Sequence, residues 1–348
     1  MKLYKQIIYI LIVFFKTETL LSENNIFNVN NIQLEKKDKI TNNALADKAI
    51  KKGFNQLISR ILLKEDNDKL SDLNFSSIKQ LVNYYQISDI SDDNNKEKLV
   101  NFSITFDKKK LHELFYKKGI LYSEITEKEL YVLPILIKKN EIFVFSNNYF
   151  YENWNKIIAN DLIEFILPLE NIEIIQNINK NKNNLLNLDL NYLFEEYPNK
   201  NLAIVLIEDK ENKNAKIYVK TIIQGKSISK SVDLKTKDLE SQNYNEKIIR
   251  KTKEELINLV KSKNLIDIRI PSFLNVKFNL NKKNNLVELN SRIKNIDLIE
   301  TIYVQEFNKD YTNLRIKYLG KLEKIIIRLK KENVHLQLIN DQWIIKAL

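Results

Sequence analysis

A chain of 348 residues, 44% of them hydrophobic, can build more than one core, so two or three domains are expected. Its net charge of +11 is carried almost wholly by lysine, and the arginines, Arg60, Arg250, Arg269, Arg292, Arg315 and Arg328, are scattered. Bidentate reading of bases and phosphates rests on arginine, so the charge reads as a solvated surface and no nucleic-acid partner is assigned. The absence of cysteine excludes a disulfide framework, a thiolate nucleophile and a cysteine-ligated metal, and the four unclustered glycines exclude the phosphate-cradling loops of nucleotide-dependent enzymes.

Lys2 and Lys5 precede an uncharged apolar run over residues 7–15, and Lys16 closes it. A basic flank, a short apolar core and a polar exit make a secretory signal peptide, expected over residues 1–22. The run is far short of the roughly 20 apolar residues that span a bilayer. Leu20-Leu21-Ser22 puts leucine where a cleavage site prefers a small residue, so retention as a short anchor is the alternative to cleavage and release.

Residues 26–34 read as a strand. Thr41 or Asn42 then caps a helix whose stripe is Ala46, Ala49, Ile50, Gly53, Phe54, Leu57, Ile58, Ile61 and Leu62. A second helix, starting at Ser76-Ser77, carries Ile78, Leu81, Val82 and Tyr85. The acidic stretch 88–95 reads as a loop before an alternating strand over 100–106. Asp107 caps the next helix, with Leu111, Leu114 and Phe115 inward, and Gly119 stops it. Residues 130–137 and 141–145 make an inner strand and its neighbour, with Pro134 weakening the first as an inner strand.

The helix over 46–63, the strand ending Phe106-Asp107, the helix over 111–118 with its terminal Gly119 and the apolar strand over 132–137 resemble an uncharacterised bacterial envelope family, domain-of-unknown-function family two thousand sixty-six. The likeness runs on through the middle and end of the chain. The resemblance implies an export signal, in agreement with the leader, and supplies no activity and no catalytic residues. Lysine, asparagine and isoleucine stand here where that family carries alanine, arginine and leucine.

Residues 154–166 read as a helix ended by Pro168, and the asparagine-lysine stretch 178–187 as a linker. Residues 202–207 form a buried strand, 215–223 and 227–234 a hairpin across Gln224-Gly225-Lys226, and 245–263 a long helix. In the last third, strands and helices alternate as β-α-β-β-α-β, the split βαβ or ferredoxin-like plan, with Trp343, Ile344 and Ile345 adding a hairpin partner. The expected fold class is therefore α+β (mixed α/β): an N-terminal α/β domain over 25–148, a central hairpin-plus-helix layer over 149–268 and a C-terminal ferredoxin-like domain over 269–348.

Chemistry is sparse. His112, placed in the exposed first turns of its helix, and His335, on the polar side of a strand, are two isolated histidines where a metal site needs converging ligands. Glu195-Glu196 and Asp92-Asp93 are adjacent carboxylates whose side chains diverge on helix and strand alike. Tyr303, Arg315 and Lys317 are placed on the open face of the last sheet, without the glycine-aromatic signature of RNA-binding sheets. No catalytic, cofactor-binding or metal-ligating residues are assigned, and no cofactor is expected. The sequence reads as an exported, periplasmic cell-envelope protein that binds or scaffolds, with an envelope protein as its partner. Membrane contact is expected only through an uncleaved leader, which would hold the chain at the inner membrane, or through anionic lipid. The rival readings are an envelope hydrolase whose site assembles only on folding, and a binder of polyanions or anionic lipid.

Overall fold

In the computed structural model, which describes residues 25–36, 41–90, 98–157, 162–210, 214–232, 243–280, 285–294 and 296–347, the chain is divided between two units. Residues up to Glu124 and from Leu265 onward form the first, and Ile125–Asn264 the second. The sequence reading instead cuts at 148/149 and 268/269. The difference arises because the strand at 129–138 pairs with the strand at 202–210 and carries the strand at 141–143 on its other side, which ties both to the central sheet. The leader at 1–22 and Asp92-Asp93 lie outside the described residues. The fold is α+β.

The first unit opens with β1 (Asn28–Lys36), α1 (Asn42–Ile61), a 3-10 turn over Lys64–Leu70, α2 (Phe75–Gln80), β2 (Val82–Ile90), β3 (Lys98–Phe106), α3 (Lys108–Lys118) and β4 (Tyr122–Ser123). The sheet runs β1-β3-β2, all antiparallel, and α1 buries the predicted stripe on one face of it. Gly53 marks the closest approach: a Cβ there would stand 2.8 Å from Ile32 Cδ1 and 3.0 Å from Ile104 Cδ1. Asp107 caps α3 by accepting from the Lys109 and Lys110 amides, and Gly119 ends it at φ +61°. One expectation is corrected: α2 stops at Gln80, and Val82 and Tyr85 lie on β2. Pairing with β3 wins there over a spacing that also fits a helix.

The second unit holds β5 (Glu129–Lys138), β6 (Glu141–Phe143), α4 (Tyr149–Asn153), β7 (Glu164–Ile166), α5 (Ile172–Lys180), α6 (Leu190–Leu193), β8 (Leu202–Lys210), β9 (Asn214–Ile223), β10 (Lys226–Val232) and α7 (Tyr244–Lys263). Its sheet runs β10-β9-β8-β5-β6, with β7 also on β5, and β5 is parallel to β8. Both faces are buried. Val132, Val205 and Val219 point into a core with α7 and Trp154, and Leu133, Ile204 and Leu206 into one with Ile174, Ile178 and Leu185. Two expectations change here. The helix expected over 154–166 ends early, and Glu164–Ile166 is a strand completing the edge of β5. The stretch 178–187 is the end of α5 and a 3-10 turn, because Ile178 and Leu185, set in an asparagine-lysine stretch, fill the second core.

Pro134 sits in β5 where the side facing away from β8 lies between β7 and β6, which pair only with residues 129–131 and 136–138. A missing N–H costs no ladder bond in that gap. The buried Asn148 side chain fills it, donating to the carbonyls of Pro134 and Val144 at 2.8 Å each. The hairpin turn at Gln224-Gly225 has φ of +51° and +71°, the two positive angles of a type I′ turn.

The chain returns through β11 (Leu265–Ile266), paired with β4, into β12 (Ser272–Asn279), α8 (Leu286–Ile293), β13 (Ile299–Phe307), β14 (Tyr311–Tyr318), α9 (Leu322–Lys331), β15 (Val334–Ile339) and β16 (Gln342–Ala347). The split βαβ plan holds for β12, α8, β13 and β14. It changes at the far edge, where β16 lies parallel to β12 and separates it from β15, giving the order β13-β14-β12-β16-β15. Asn340 and Asp341, both at positive φ, form the tight turn that folds β16 back beside β15. That places Ile345 beside Phe278 in the core.

Candidate functional site

The sheet of residues 272–347 carries α8 and α9 against one face, where Leu274, Val276, Phe278, Leu314 and Ile316 meet Leu289, Ile293, Ile325 and Leu329. Strand pleating sends the alternate residues to the other face. There Tyr303 stands opposite Arg315, Arg315 opposite Asn275, and Lys317 opposite both Thr301 and Phe273. Phe273 is 47% exposed and Tyr303 46%, so both rings meet solvent. The Arg315 guanidinium lies 4.3 Å from the centre of the Phe273 ring, and the Lys277 ammonium 4.1 Å from that of Tyr311. Glu300 pairs with Lys317 at 2.8 Å and holds its ammonium above the usual pKa of lysine. Glu306 accepts from Asn313 at 2.7 Å and from the Tyr311 hydroxyl at 3.1 Å.

This face brings Tyr303, Arg315 and Lys317 together as the alternation predicts. Sequence reasoning missed Phe273, Lys277 and Tyr311 as parts of it. The signal was the same alternation, since Phe273 is out of phase with Leu274, Val276 and Phe278. Cations seated on rings have both a flat apolar body and a positive head to present. Such a face can grip planar or anionic groups on a partner.

A second cluster is internal to the same unit. Glu124, 1% exposed, pairs with Arg328, and its carbonyl accepts from Lys324 at 2.7 Å. Lys108 donates to the carbonyl of Asp297. His112 packs against the rings of Phe27 and Tyr122, with centroids 5.7 and 5.4 Å away. It is therefore largely enclosed, a correction to its expected exposed position. Burial, assisted by the charge of Lys108, lowers the His112 pKa to about 4. Burial also raises Asp297 and Tyr122 and lowers Lys108. The Tyr122 hydroxyl, Ser123 Oγ, His112 Nε2 and Glu124 Oε2 have no hydrogen-bond partner among the described residues. Charged groups thus converge on folding, yet Tyr122 and Glu124 at the centre are sealed from solvent.

A comparable group lies in the second unit. The buried Lys253 donates to the carbonyl of Ile157 at 2.9 Å and stands 4.9 Å from the centre of the Phe165 ring and 5.6 Å from that of Trp154. Burial lowers its pKa to about 8. His335 stands opposite Lys346 on the β15–β16 pair. Glu195 and Glu196 line a shallow groove beside α5, where Glu196 accepts from Asn171 at 3.4 Å. Among the described residues no group of three or more histidines and carboxylates could hold a metal ion, and no helix is long and apolar enough to cross a membrane.

Comparison of the chain with family models, with curated proteins and with solved structures finds no match.

Proposed function

We propose that this chain is an exported protein of the bacterial cell envelope, periplasmic once its leader is cleaved, that works by binding or scaffolding. Its contact surface is the open face of the sheet of residues 272–347. The observation that carries this reading is the half-exposed pair Phe273 and Tyr303 set among Arg315, Lys277 and Lys317, on a sheet whose other face is filled. The leader pattern supports the compartment. The sealing of Tyr122 and Glu124 weighs against the hydrolase reading, since a reacting substrate has to reach its acid and base. The partner is an envelope protein, held by stacking and by charge on one flat surface.

A photo-reactive phenylalanine analogue at position 303 tests this. Expected is a discrete protein adduct in the envelope fraction, lost with Arg315→Glu and absent when the probe replaces Glu323 on the helical face. Equal labelling from 303 and 323 rejects the surface. The intact chain, leader included, in the cytosol rejects the compartment. The ring-seated cations also favour a second reading, anionic lipid or another polyanion. Binding to phosphatidylglycerol vesicles that falls steeply with salt would identify it, whereas protein scaffolding is far less salt-sensitive.

A further inference from the structure

Among the described residues the strand β2 is an edge, paired with β3 on one side only. Which of its peptide groups face outward follows from two bonds at the strand ends. The Phe106 amide donates to the carbonyl of Phe27 and that of Asp107 to the carbonyl of Leu81, so along β3 the even residues face β1 and the odd ones face β2. The odd residues Thr105, Ser103 and Asn101 stand opposite Tyr84, Gln86 and Ser88. Those three therefore spend their N–H and C=O groups on β3, and Tyr85 and Ile87 turn theirs to the outer edge. The side chains are bare as well: Tyr84 is 51% exposed, Tyr85 41% and Ile87 47%.

Edges that stay single are blunted by bulges, charge or proline. In β1 the register shifts between Val29 and Ile32, with Asn31 at φ +60°, and the strand ends in Glu35-Lys36. In β13 it shifts twice, and Glu300 and Glu306 interrupt the run. On β10 stand Lys226 and Lys230. From Tyr84 to Ser88, β2 is regular, uncharged and free of proline.

The segment is also its own complement. An antiparallel two-fold centred on Gln86 sets each Tyr85 against the Ile87 of the other copy, and these are the residues whose peptide groups are outward. Tyr85 and Ile87 share the helix-covered face with Ile104 and Phe102, and Ile87 already lines a cleft with Leu45, Val100 and Phe102. The aromatic and branched pair so formed would extend that apolar strip across the axis. On the other face Tyr84 meets Ser88, and no charge opposes a like charge within 84–88. We infer that β2 pairs with β2 of a second copy about a two-fold axis at Gln86, joining two three-stranded sheets into one of six strands.

The chain has no cysteine, so Gln86→Cys is a single-thiol probe. Across the axis position 86 forms a non-hydrogen-bonded pair with Cα atoms about 4.5 Å apart, within disulfide reach. The two copies of residue 88 would be roughly 14 Å apart, four residues along the strand. Under mild copper-phenanthroline oxidation Gln86→Cys is expected to give disulfide-linked dimer quickly and Ser88→Cys slowly. Sedimentation of the wild-type chain should show a dimer, and Ile87→Lys, checked for folding by circular dichroism, should weaken it by at least ~10-fold. A wild-type monomer at the highest soluble concentration overturns the inference, including the case in which another protein's strand takes the edge. Equal crosslinking from 86 and 88, or an unchanged dimer in Ile87→Lys, overturns it too.

Discussion

The sheet around β5 and β8 is covered on both faces, whereas the sheet around β12 and β14 is covered on one. The difference is written along the strands: Leu202–Ile207 is an unbroken apolar run, and Ser272–Asn279 alternates. A sheet filled on both sides contributes stability and offers no surface. A sheet filled on one side keeps a face free for a partner, and the residues there are released from packing. In this chain the open sheet face, the proposed binding surface, belongs to the first unit and the most enclosed strands to the second.

The two tryptophans allow that contrast to be measured, since Trp154 lies in the second unit and Trp343 in the first. Single-tryptophan versions, with the other replaced by phenylalanine, let urea unfolding be followed unit by unit. The largest effect is expected from Arg328→Ala, about 3–5 kcal/mol in the transition reported by Trp343, because it strands the buried Glu124 charge. Ile204→Ala, which empties one side of the filled sheet, should cost about 2–5 kcal/mol in the transition reported by Trp154. Tyr303→Ala should then move the Trp343 transition by no more than about 0.5 kcal/mol. A loss as large as that from Ile204→Ala would break the comparison, since the face would be a packed one.

The pH dependence sharpens it further, with an effect between those two. Lys253 has a pKa near 8 in the folded protein against 10.5 for an ordinary lysine. Between those values the unfolded chain holds a proton that the folded one has shed, so the second unit should gain stability as pH rises from about 8 to 10.5. Below pH 8 both forms are protonated and the full cost of burying the ammonium is present. Lys253→Met should raise the midpoint at pH 7 and flatten its rise above pH 8. A rise that survives the substitution would mean that other groups carry it.

Much of the architecture was legible because strands and helices here obey simple periods. The stripe of α1, the alternation of β12 and β14, the Asp107 cap and the Gly119 stop all appear where spacing puts them. The misreadings have a common cause, local patterns that fit two periods until a partner decides. Val82 and Tyr85 fit a helix until β3 pairs with them, and Glu164–Ile166 continues a helix until β5 does. The open face was half legible, through Tyr303, Arg315 and Lys317. The internal cluster was not, since Lys108, Glu124, Asp297 and Arg328 meet only through the fold. A sign was available for a buried lysine of the second unit: Lys253 falls within the apolar stripe of its helix, among Ile249, Thr252 and Leu256, where a solvated lysine has no place.

The short pairing of Tyr122–Ser123 with Leu265–Ile266 places the points where the chain departs from the first unit and comes back to it side by side. An insertion whose two ends leave from neighbouring positions behaves as a cassette: its length and content can change without disturbing the host that carries it. Deleting 125–264 and bridging the gap with a few flexible residues is therefore expected to leave a host that closes on its own. During synthesis the order is reversed, for the cassette is contiguous and can mature first, while the host waits for its second half to emerge.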